Sequence, residues 1–503
     1  MSGLAALGML MLVVMLFAIF IGFPISFTLL FLALSFGYFG LGEVVFSLAY
    51  FQTIGMMKEE LLAAVPLFIF MGFLTEQAGL MERLFTAFRM MLAPIRGALF
   101  AVVILTATIF AMATGIVGAA VTVLGIMASP IMNKVGYDHK LSAGCITAGG
   151  TLGILIPPSV MLIVMGPVIG VSVAELYSAA FGPGFLLAGI YLIYLMARSY
   201  LNPKLGPVVP KEERIHSVAT ILWEVVVGVL PLLLLIAAVL GSMLAGLATP
   251  TEASAVGALG AWLLMVVYRK FTWAGLKRAV LSTTATSSMV LLLAVTSNIF
   301  GAVFARLGTA NWITETMLAL PIPPVFMLIL VLLLIFLLGW PFEWPAVILV
   351  FLPIFYPVMD GLKAPLATSL GIAPDMVMVW FGATVAVVLQ TAYLSPPVAM
   401  SAYYLKQVVK EWSLSTIYKG MFEFMTLQML CVALIVIFPK IVTTFPEQLR
   451  HESSQIKSEE VDDSMNRLEE DPAKQMQEEQ QGEAEEEEKK GDALEKDDMK
   501  PKK

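Results

Sequence analysis

Apolar residues fill the first 450 positions in long blocks separated by short polar gaps, and most blocks have the length of a membrane crossing. About 20 mostly apolar residues in helical geometry span a bilayer. Such blocks fall near 4–22, 24–41, 61–82, 141–170, 179–200, 222–244, 252–268, 279–304, 376–405 and 421–440. The pattern predicts an all-α polytopic membrane protein. Two further blocks have the wrong length: 98–132 and 324–359 run for about 35 residues each. That is too long for one crossing and short for two with a loop. Each has a helix-weakening cluster at its middle, Ala113-Thr114-Gly115-Ile116-Val117-Gly118 in one and Gly339-Trp340-Pro341-Phe342-Glu343-Trp344-Pro345 in the other. Both are predicted to be re-entrant hairpins whose arms meet at mid-membrane.

Spans 141–170 and 376–405 exceed a straight crossing, and each holds a Pro-Pro step: Gly149-Gly150-Thr151-Leu152-Gly153-Ile154-Leu155-Ile156-Pro157-Pro158-Ser159 and Gln390-Thr391-Ala392-Tyr393-Leu394-Ser395-Pro396-Pro397. Consecutive prolines remove two backbone donors and push the preceding residue out of helical geometry. In lipid the freed carbonyls need partners, so such a break belongs against protein or a wet cavity. Both spans are predicted to be broken there.

The order of features recurs. Residues 1–200 hold a span opened by Pro24, a hairpin ending in Ser129-Pro130-Ile131 and a Thr-then-Pro-Pro break. Residues 222–445 hold Thr249-Pro250-Thr251-Glu252, a hairpin ending in Leu352-Pro353-Ile354 and the second break. Five spans and one hairpin per half is an odd number of crossings, so the halves, joined by the polar linker 201–221, are predicted to be inverted repeats. Threading the spans places sixteen Lys and Arg on one side and five on the other. The excess marks the cytoplasmic face. Both termini are then expected outside, which in a Gram-negative cell is the periplasm.

Composition sharpens this picture. Apolar residues make up 59% of the 503 and charged residues 13%, with a mean hydropathy of +0.88. The acidic balance belongs to the end of the chain. Residues 451–503 carry 9 Lys+Arg and 19 Asp+Glu, leaving 21 and 18 for 1–450. That tail lacks the large apolar residues a core needs and is expected to be disordered. No Lys/Arg cluster exceeds the four between Arg269 and Arg278, so nucleic-acid binding is excluded. Cys145 and Cys431 both sit in apolar segments and read as buried thiols rather than a disulfide. His139, His216 and His451 fall in loops or the tail, and no metalloprotease, P-loop or serine-hydrolase motif occurs. An enzyme is not expected, nor any cofactor.

Inverted repeats with paired discontinuous helices are the architecture of secondary transporters. The quoted residues also carry a resemblance to a family. Val65–Gly72, Ala113–Ala119, Gly149–Ser159, Thr249–Ala253 and Leu389–Pro397 resemble the large membrane subunit of the tripartite ATP-independent periplasmic (TRAP) transporters, over about 1–445. Thr114–Ala119 and Leu389–Pro397 further resemble the subgroup labelled mannitol/chloroaromatic-type. The resemblance implies an elevator-type importer in the bacterial inner membrane, driven by Na⁺ as coupling ion and carrying an organic acid. It implies a periplasmic substrate-binding protein and a small four-helix membrane subunit. Because the chain opens at the large subunit's first span, that small subunit is expected as a separate polypeptide. A stand-alone ion-coupled carboxylate transporter is the alternative reading.

The resemblance also implies a first Na⁺ site on Ala113, Thr114, Gly115 and Ile116 of the hairpin with Gly150, Thr151, Gly153 and Pro157 of the break. Repeat symmetry then expects a second on Gly339, Trp340 and Glu343 with Gln390, Thr391, Ser395 and Pro396. Here the chain departs from the family's Gly-x-x-x-Asp pattern, having Glu343 with Pro341 and Pro345 beside it. Plainer roles compete for several of these residues. Thr114 and Thr151 are candidates for bonding back to their own helix carbonyls, Glu252 for capping the helix after Pro250, and Glu343 for a structural ion pair.

Overall fold

A computed structural model describes residues 2–210, 217–396 and 399–451. The expectation for Pro397 and almost all of that for the acidic tail lie outside these residues, as do His216 and the centre of the linker. The chain divides into two units, Met1–Pro446 and Glu447–Lys503. In the second only 447–451 are described, and these are helical.

Among the described residues there are only helices. In chain order they are α1 (Gly3–Ile21), α2 (Ile25–Leu41), α3 (Val44–Met57), α4 (Leu61–Gln77), α5 (Leu80–Leu92), α6 (Ala98–Thr114), α7 (Val117–Val135), α8 (His139–Thr151), α9 (Val160–Ile169) and α10 (Val173–Leu201). Then follow α11 (Val218–Leu244), α12 (Pro250–Val267), α13 (Trp273–Arg306), α14 (Thr309–Leu318) and α15 (Pro324–Leu338). The last are α16 (Trp344–Ala346), α17 (Leu352–Gly361), α18 (Lys363–Leu370), α19 (Met376–Gln390), α20 (Met400–Val408) and α21 (Leu414–Ile437). A π-helical stretch, Val347–Phe351, joins α16 to α17 in one continuous arm. Nine of the described helices are long and apolar enough to cross a membrane, or ten if the bent pair α4 and α5 counts as one span. This is a polytopic α-helical membrane protein.

Local sequence explains the helix ends. Thr249 opens α12 with a reciprocal capping box: its hydroxyl accepts the Glu252 N–H while the Glu252 carboxylate accepts the Thr249 N–H at 2.8 Å. Glu252 is thus a cap, as its spacing allowed. At the middle of block 98–132 the chain ends α6 at Thr114, turns through Gly115 at φ +61° and restarts α7 at Val117. Residues with a Cβ rarely adopt that φ, so glycine makes the sharp reversal inexpensive.

Two differences from the sequence reading share one cause. Block 61–82 is not one straight helix: α4 ends at Gln77 and α5 starts at Leu80, bent from it by 57° beside Gly79. The reading also missed α3, whose 14 residues are too few to cross and include Gln52 and Thr53. Comparing the halves resolves both. Val44 and Trp273, Gln77 and Arg306, and Leu80 and Thr309 open or close helices and stand 229 residues apart. Thus α3 and α4 correspond in position to the single 34-residue α13, and α5 to α14. Elements that lie beside a span rather than across it carry no length signature. His139 likewise proves to be the first residue of α8, with its ring 5.6 Å from Trp412, and not a loop residue.

The helices pack in two groups. The first comprises α1–α5 with α11–α14, where α4 packs along α12 and α13 crosses α2, α3 and α4. Its outer faces are strongly apolar; Phe17, Phe20, Phe31, Phe39 and Trp223 are all more than half exposed, as suits contact with lipid. The second comprises α6–α10 with α15–α21 and is centred on α19, all fifteen of whose residues are buried. There α8 and α21 touch through glycine. A Cβ on Gly420 would stand 2.1 Å from the Lys140 carbonyl oxygen and 2.8 Å from the Gly144 nitrogen. Small residues let membrane helices approach to backbone contact, which is where dispersion and packing gain most.

That contact sets an expectation for stability. Gly420→Ala forces two backbones apart and should lower unfolding stability by about 1–3 kcal/mol, the usual range for overpacking. Gly189→Ala on α10, with nothing near the added carbon, should be neutral or slightly stabilising. Thermal unfolding of the purified protein in detergent compares the two; equal melting points would show that the α8–α21 contact is slack.

Candidate functional site

The four irregular segments foreseen in the sequence come together between the two helix groups. Start with the first hairpin. Beside its tip, a Cβ on Gly115 would lie 3.7 Å from the Gly153 carbonyl oxygen and 3.8 Å from that of Pro158. Hairpin tip and first break are therefore neighbours, and two main-chain oxygens face the turn. The first helix group grips the same tip. A Cβ on Gly72 of α4 would stand 2.5 Å from the Thr114 carbonyl oxygen, and Thr75 lies 3.4 Å from that of Ala113. Sequence reasoning missed Gly72 and Thr75 as tip contacts. The signal was there in Val65–Gly72, which served only to support a resemblance.

Within the break, α8 ends at Thr151, tightens into a 3₁₀ turn over Leu152–Ile154 and leaves helical geometry until α9 begins at Val160. The Pro157-Pro158 bond is cis. Tyr177 of α10 supplies what the unwound chain lacks: its hydroxyl donates to the Ser159 carbonyl at 3.1 Å and accepts the Ser159 N–H at 3.2 Å. The Ser159 hydroxyl donates to the Ile154 carbonyl. Both threonines of the expected first site bond back to their own helices, Thr114 to the Phe110 carbonyl at 3.2 Å and Thr151 to that of Ala148 at 2.8 Å. Donation leaves the oxygen lone pairs of each free to accept. Gly150 stands in closest approach to α7, where an added Cβ would meet Val121 Cγ2 at 2.3 Å; Gly153 abuts the Ala111 backbone.

The second half departs from this pattern in detail. Gly339 closes α15 beside Ala392, whose Cβ lies 3.3 Å from the position of an added carbon. Glu343 caps the following arm in extended geometry, and its carboxylate bonds none of the N–H groups there. Trp340 is 38% exposed with its ring 5.7 Å from Phe336, on the outer side of the tip. The Thr391 hydroxyl bonds the Val388 carbonyl at 2.6 Å, while that of Ser395 is buried without a protein partner. Pro396 lines a separate cavity of about 570 Å³ with Lys140, Tyr418, Lys419 and Glu423.

Thr151 and Gln390, expected in two different sites, meet. The Thr151 hydroxyl is 3.4 Å from Gln390 Oε1, which also accepts from Gln428 Nε2 at 3.4 Å. All three residues are fully buried. The hydroxyl has one proton for two acceptors, and the nearer is the Ala148 carbonyl. Gln428 of α21 was not foreseen, because a lone amide in an apolar span has no motif around it.

Together the segments enclose a cavity of about 290 Å³. One wall is the first hairpin and break, through Gly115, Val117, Gly118 and Val160. Opposite stand Glu343, Trp344, Tyr393 and Tyr404 from the second half, and α4 and α13 close it through Ile69 and Thr286. Here α7 and α9 begin, so unpaired N–H groups and the positive ends of two helix dipoles lie at the cavity. Such termini favour anions.

Three comparisons bear on this arrangement. The crystal structure of the Alcanivorax borkumensis YdaH transporter superposes with a TM-score of 0.55 over 80% of this chain and 90% of that one, at 17% identity. The likeness is one of fold. The sialic acid TRAP transporter large permease protein SiaM of Vibrio cholerae is 30% identical over 435 residues, 85% of this chain and 96% of that protein. The C4-dicarboxylate large permease protein DctM of Pseudomonas aeruginosa is 30% identical over 349 residues, covering 68% and 76%. The ectoine large permease protein TeaC of Halomonas elongata is 27% identical over 394 residues, covering 78% and 87%. The sequence model of the tripartite ATP-independent periplasmic transporter DctM component matches residues 11–441. With irregular backbone from both halves walling one intramembrane cavity and a family match over nearly all of the described chain, this protein belongs to the large permease subunits of the TRAP transporters.

Proposed function

We propose that this chain moves an organic acid into a bacterial cell by Na⁺ symport across the inner membrane. It receives the acid from a periplasmic binding protein and works with a small four-helix membrane subunit. The observation that carries the proposal is the convergence of two hairpin tips and two broken spans on one cavity between two helix groups. Irregular backbone is tolerated at membrane depth only against protein or a wet cavity, and four such segments at one point give a small polar site in an apolar surround. Relatives named for sialic acid, C4-dicarboxylates and ectoine support an organic-acid cargo.

A first Na⁺ site is supported by the oxygens around Gly115. The carbonyls of Gly153 and Pro158 face that turn, and the Thr114 and Thr151 hydroxyls keep lone pairs for a cation. Hard oxygen ligands of this kind suit Na⁺, provided they are in place before it sheds water. Gln390 and Ser395, with a buried amide nitrogen and a buried hydroxyl lacking partners, support a second polar site at the other break. Pairs of elements 229 residues apart support an internal repeat, and the Lys/Arg asymmetry of the loops supports an inverted one with both termini in the periplasm. The division into two helix groups supports an elevator, in which α6–α10 and α15–α21 carry the cavity past α1–α5 and α11–α14.

Uptake into proteoliposomes holding this chain and its small subunit, with binding protein outside, tests the proposal. Accumulation should follow an inward Na⁺ gradient and proceed without ATP; accumulation indifferent to Na⁺ rules out the symport. In the same assay Thr151→Val should weaken apparent Na⁺ affinity about tenfold, if one ligand is worth about 1.4 kcal/mol. Thr108→Val is the control, since Thr108 bonds only the Ile104 carbonyl of its own helix. Identical Na⁺ dependence in both variants would make the Thr151 hydroxyl structural. Gly72→Ala, whose new carbon would lie 2.5 Å from the Thr114 oxygen, should cut the uptake rate severalfold by displacing the hairpin tip. An unchanged rate would show that the tip tolerates the shift.

A further inference from the structure

We infer that the cargo carries a cationic nitrogen as well as its carboxylate, and that Glu343 with Trp344, Tyr393 and Tyr404 binds the cationic end. This rests on the reading above and narrows its substrate class. The inference comes from the charge distribution of the 290 Å³ cavity.

An anion alone would be expected to meet a guanidinium or ammonium, because bidentate Arg pairing is the strongest recognition of a carboxylate. Among the described residues lining the cavity there is no Lys, Arg or His; the one charged side chain is Glu343. A simple carboxylate in this space would face another carboxylate of the same sign. Glu343 has no ion-pair partner among the described residues, and its carboxylate bonds none of the helix N–H groups it precedes. A half-buried carboxylate at membrane depth without a partner is costly. A cation brought by the cargo relieves that cost.

Around Glu343 the wall is aromatic. Trp344 is buried beside it, and Tyr393 and Tyr404 line the same cavity. Aromatic rings beside a carboxylate suit substituted ammonium groups, which the ring quadrupole attracts. The Tyr404 ring is fixed against the first hairpin, since a Cβ on Gly118 would sit 3.0–3.3 Å from it. Across the cavity Val117 and Val160 begin α7 and α9 and present their free N–H groups. The cavity thus has the N-terminal ends of α7 and α9 on its first-half wall and the Glu343 carboxylate on its second-half wall. A molecule with a carboxylate at one end and a cationic nitrogen at the other matches both walls. The volume, near the low end of small-molecule sites, suits a compact zwitterion.

The test measures affinity of the full chain, purified with its small subunit, for pairs of isosteric probes that differ in charge alone. Suitable pairs are glycine betaine with 3,3-dimethylbutanoate, and 4-aminobutanoate with pentanoate. Calorimetry is run in Na⁺ and again in K⁺. In Na⁺ the zwitterion should bind at least tenfold tighter than its anionic isostere in one pair or more. Glu343→Gln should remove that preference while Na⁺-dependent thermal stabilisation persists, and Glu343→Asp, which keeps the charge, should retain most of it. Anions binding as well as or better than zwitterions in every pair overturns the inference and leaves Na⁺ coupling standing. Loss of Na⁺ stabilisation in Glu343→Gln overturns it too, by making Glu343 a Na⁺ ligand. If wild type responds to neither Na⁺ nor any probe, the symport reading falls and this inference with it.

Discussion

Everything in this molecule follows from the cost of an unpaired backbone polar group in lipid. A helix satisfies its own N–H and C=O groups, so most of the chain is helix. A transporter nevertheless needs polar atoms at membrane depth, and unwinding a helix supplies them without adding charged side chains. The unwound segments then have to be enclosed. Here the enclosure is mutual: each hairpin tip covers a break, and Tyr177 lends its hydroxyl to Ser159 where prolines prevent helical bonding. One cavity results because all four segments have the same need.

Tight packing makes the enclosure rigid. Glycines at the α8–α21 contact and at the approach of Gly150 to Val121 bring backbones within reach of one another. The group containing α19 is therefore a dense body with little room for internal change. The surrounding helices expose broad apolar faces and meet that body along α4, α5, α13 and α14. The cavity lies where that dense body meets the apolar-faced helices, closed by Ile69 of α4 and Thr286 of α13.

Much of this was legible in the sequence. The helix interruptions at Gly115 and after Leu338 fall in the two blocks whose length was wrong for a crossing, 98–132 and 324–359, and the breaks go with Pro-Pro steps that helices cannot carry. Gly115, Gly153, Thr151, Gln390 and Glu343 fall in segments marked by local pattern, the family resemblance and the repeat named them as site residues, and each lies at a tip or a break. What was not legible depends on distance in the chain. Gly72 touches the first tip across α4, and Gln428 reaches Gln390 from α21. Nothing near either residue announces its partner. Trp340 and Pro396 were grouped by adjacency in sequence, yet the turn sends one outward and the other to a different cavity. Helices that do not cross, α3 and α14, were invisible to a reading based on crossing length. The 229-residue spacing recovers them only once one half is known.

The account stands on substrate occupying the cavity where the four segments meet. In a cysteine-free background, Cys145→Ala with Cys431→Ala, a single cysteine replaces Thr286 on the α13 wall of that cavity. A second variant places one at Ser415, which lines the separate cavity with Pro396. The rate of thiol labelling is measured with and without Na⁺ and the acid that the reconstituted system takes up. The account predicts that Na⁺ and substrate together slow labelling at Thr286→Cys severalfold and leave Ser415→Cys unchanged. Equal rates at Thr286→Cys in both conditions, with transport intact, would place the cargo elsewhere and contradict it.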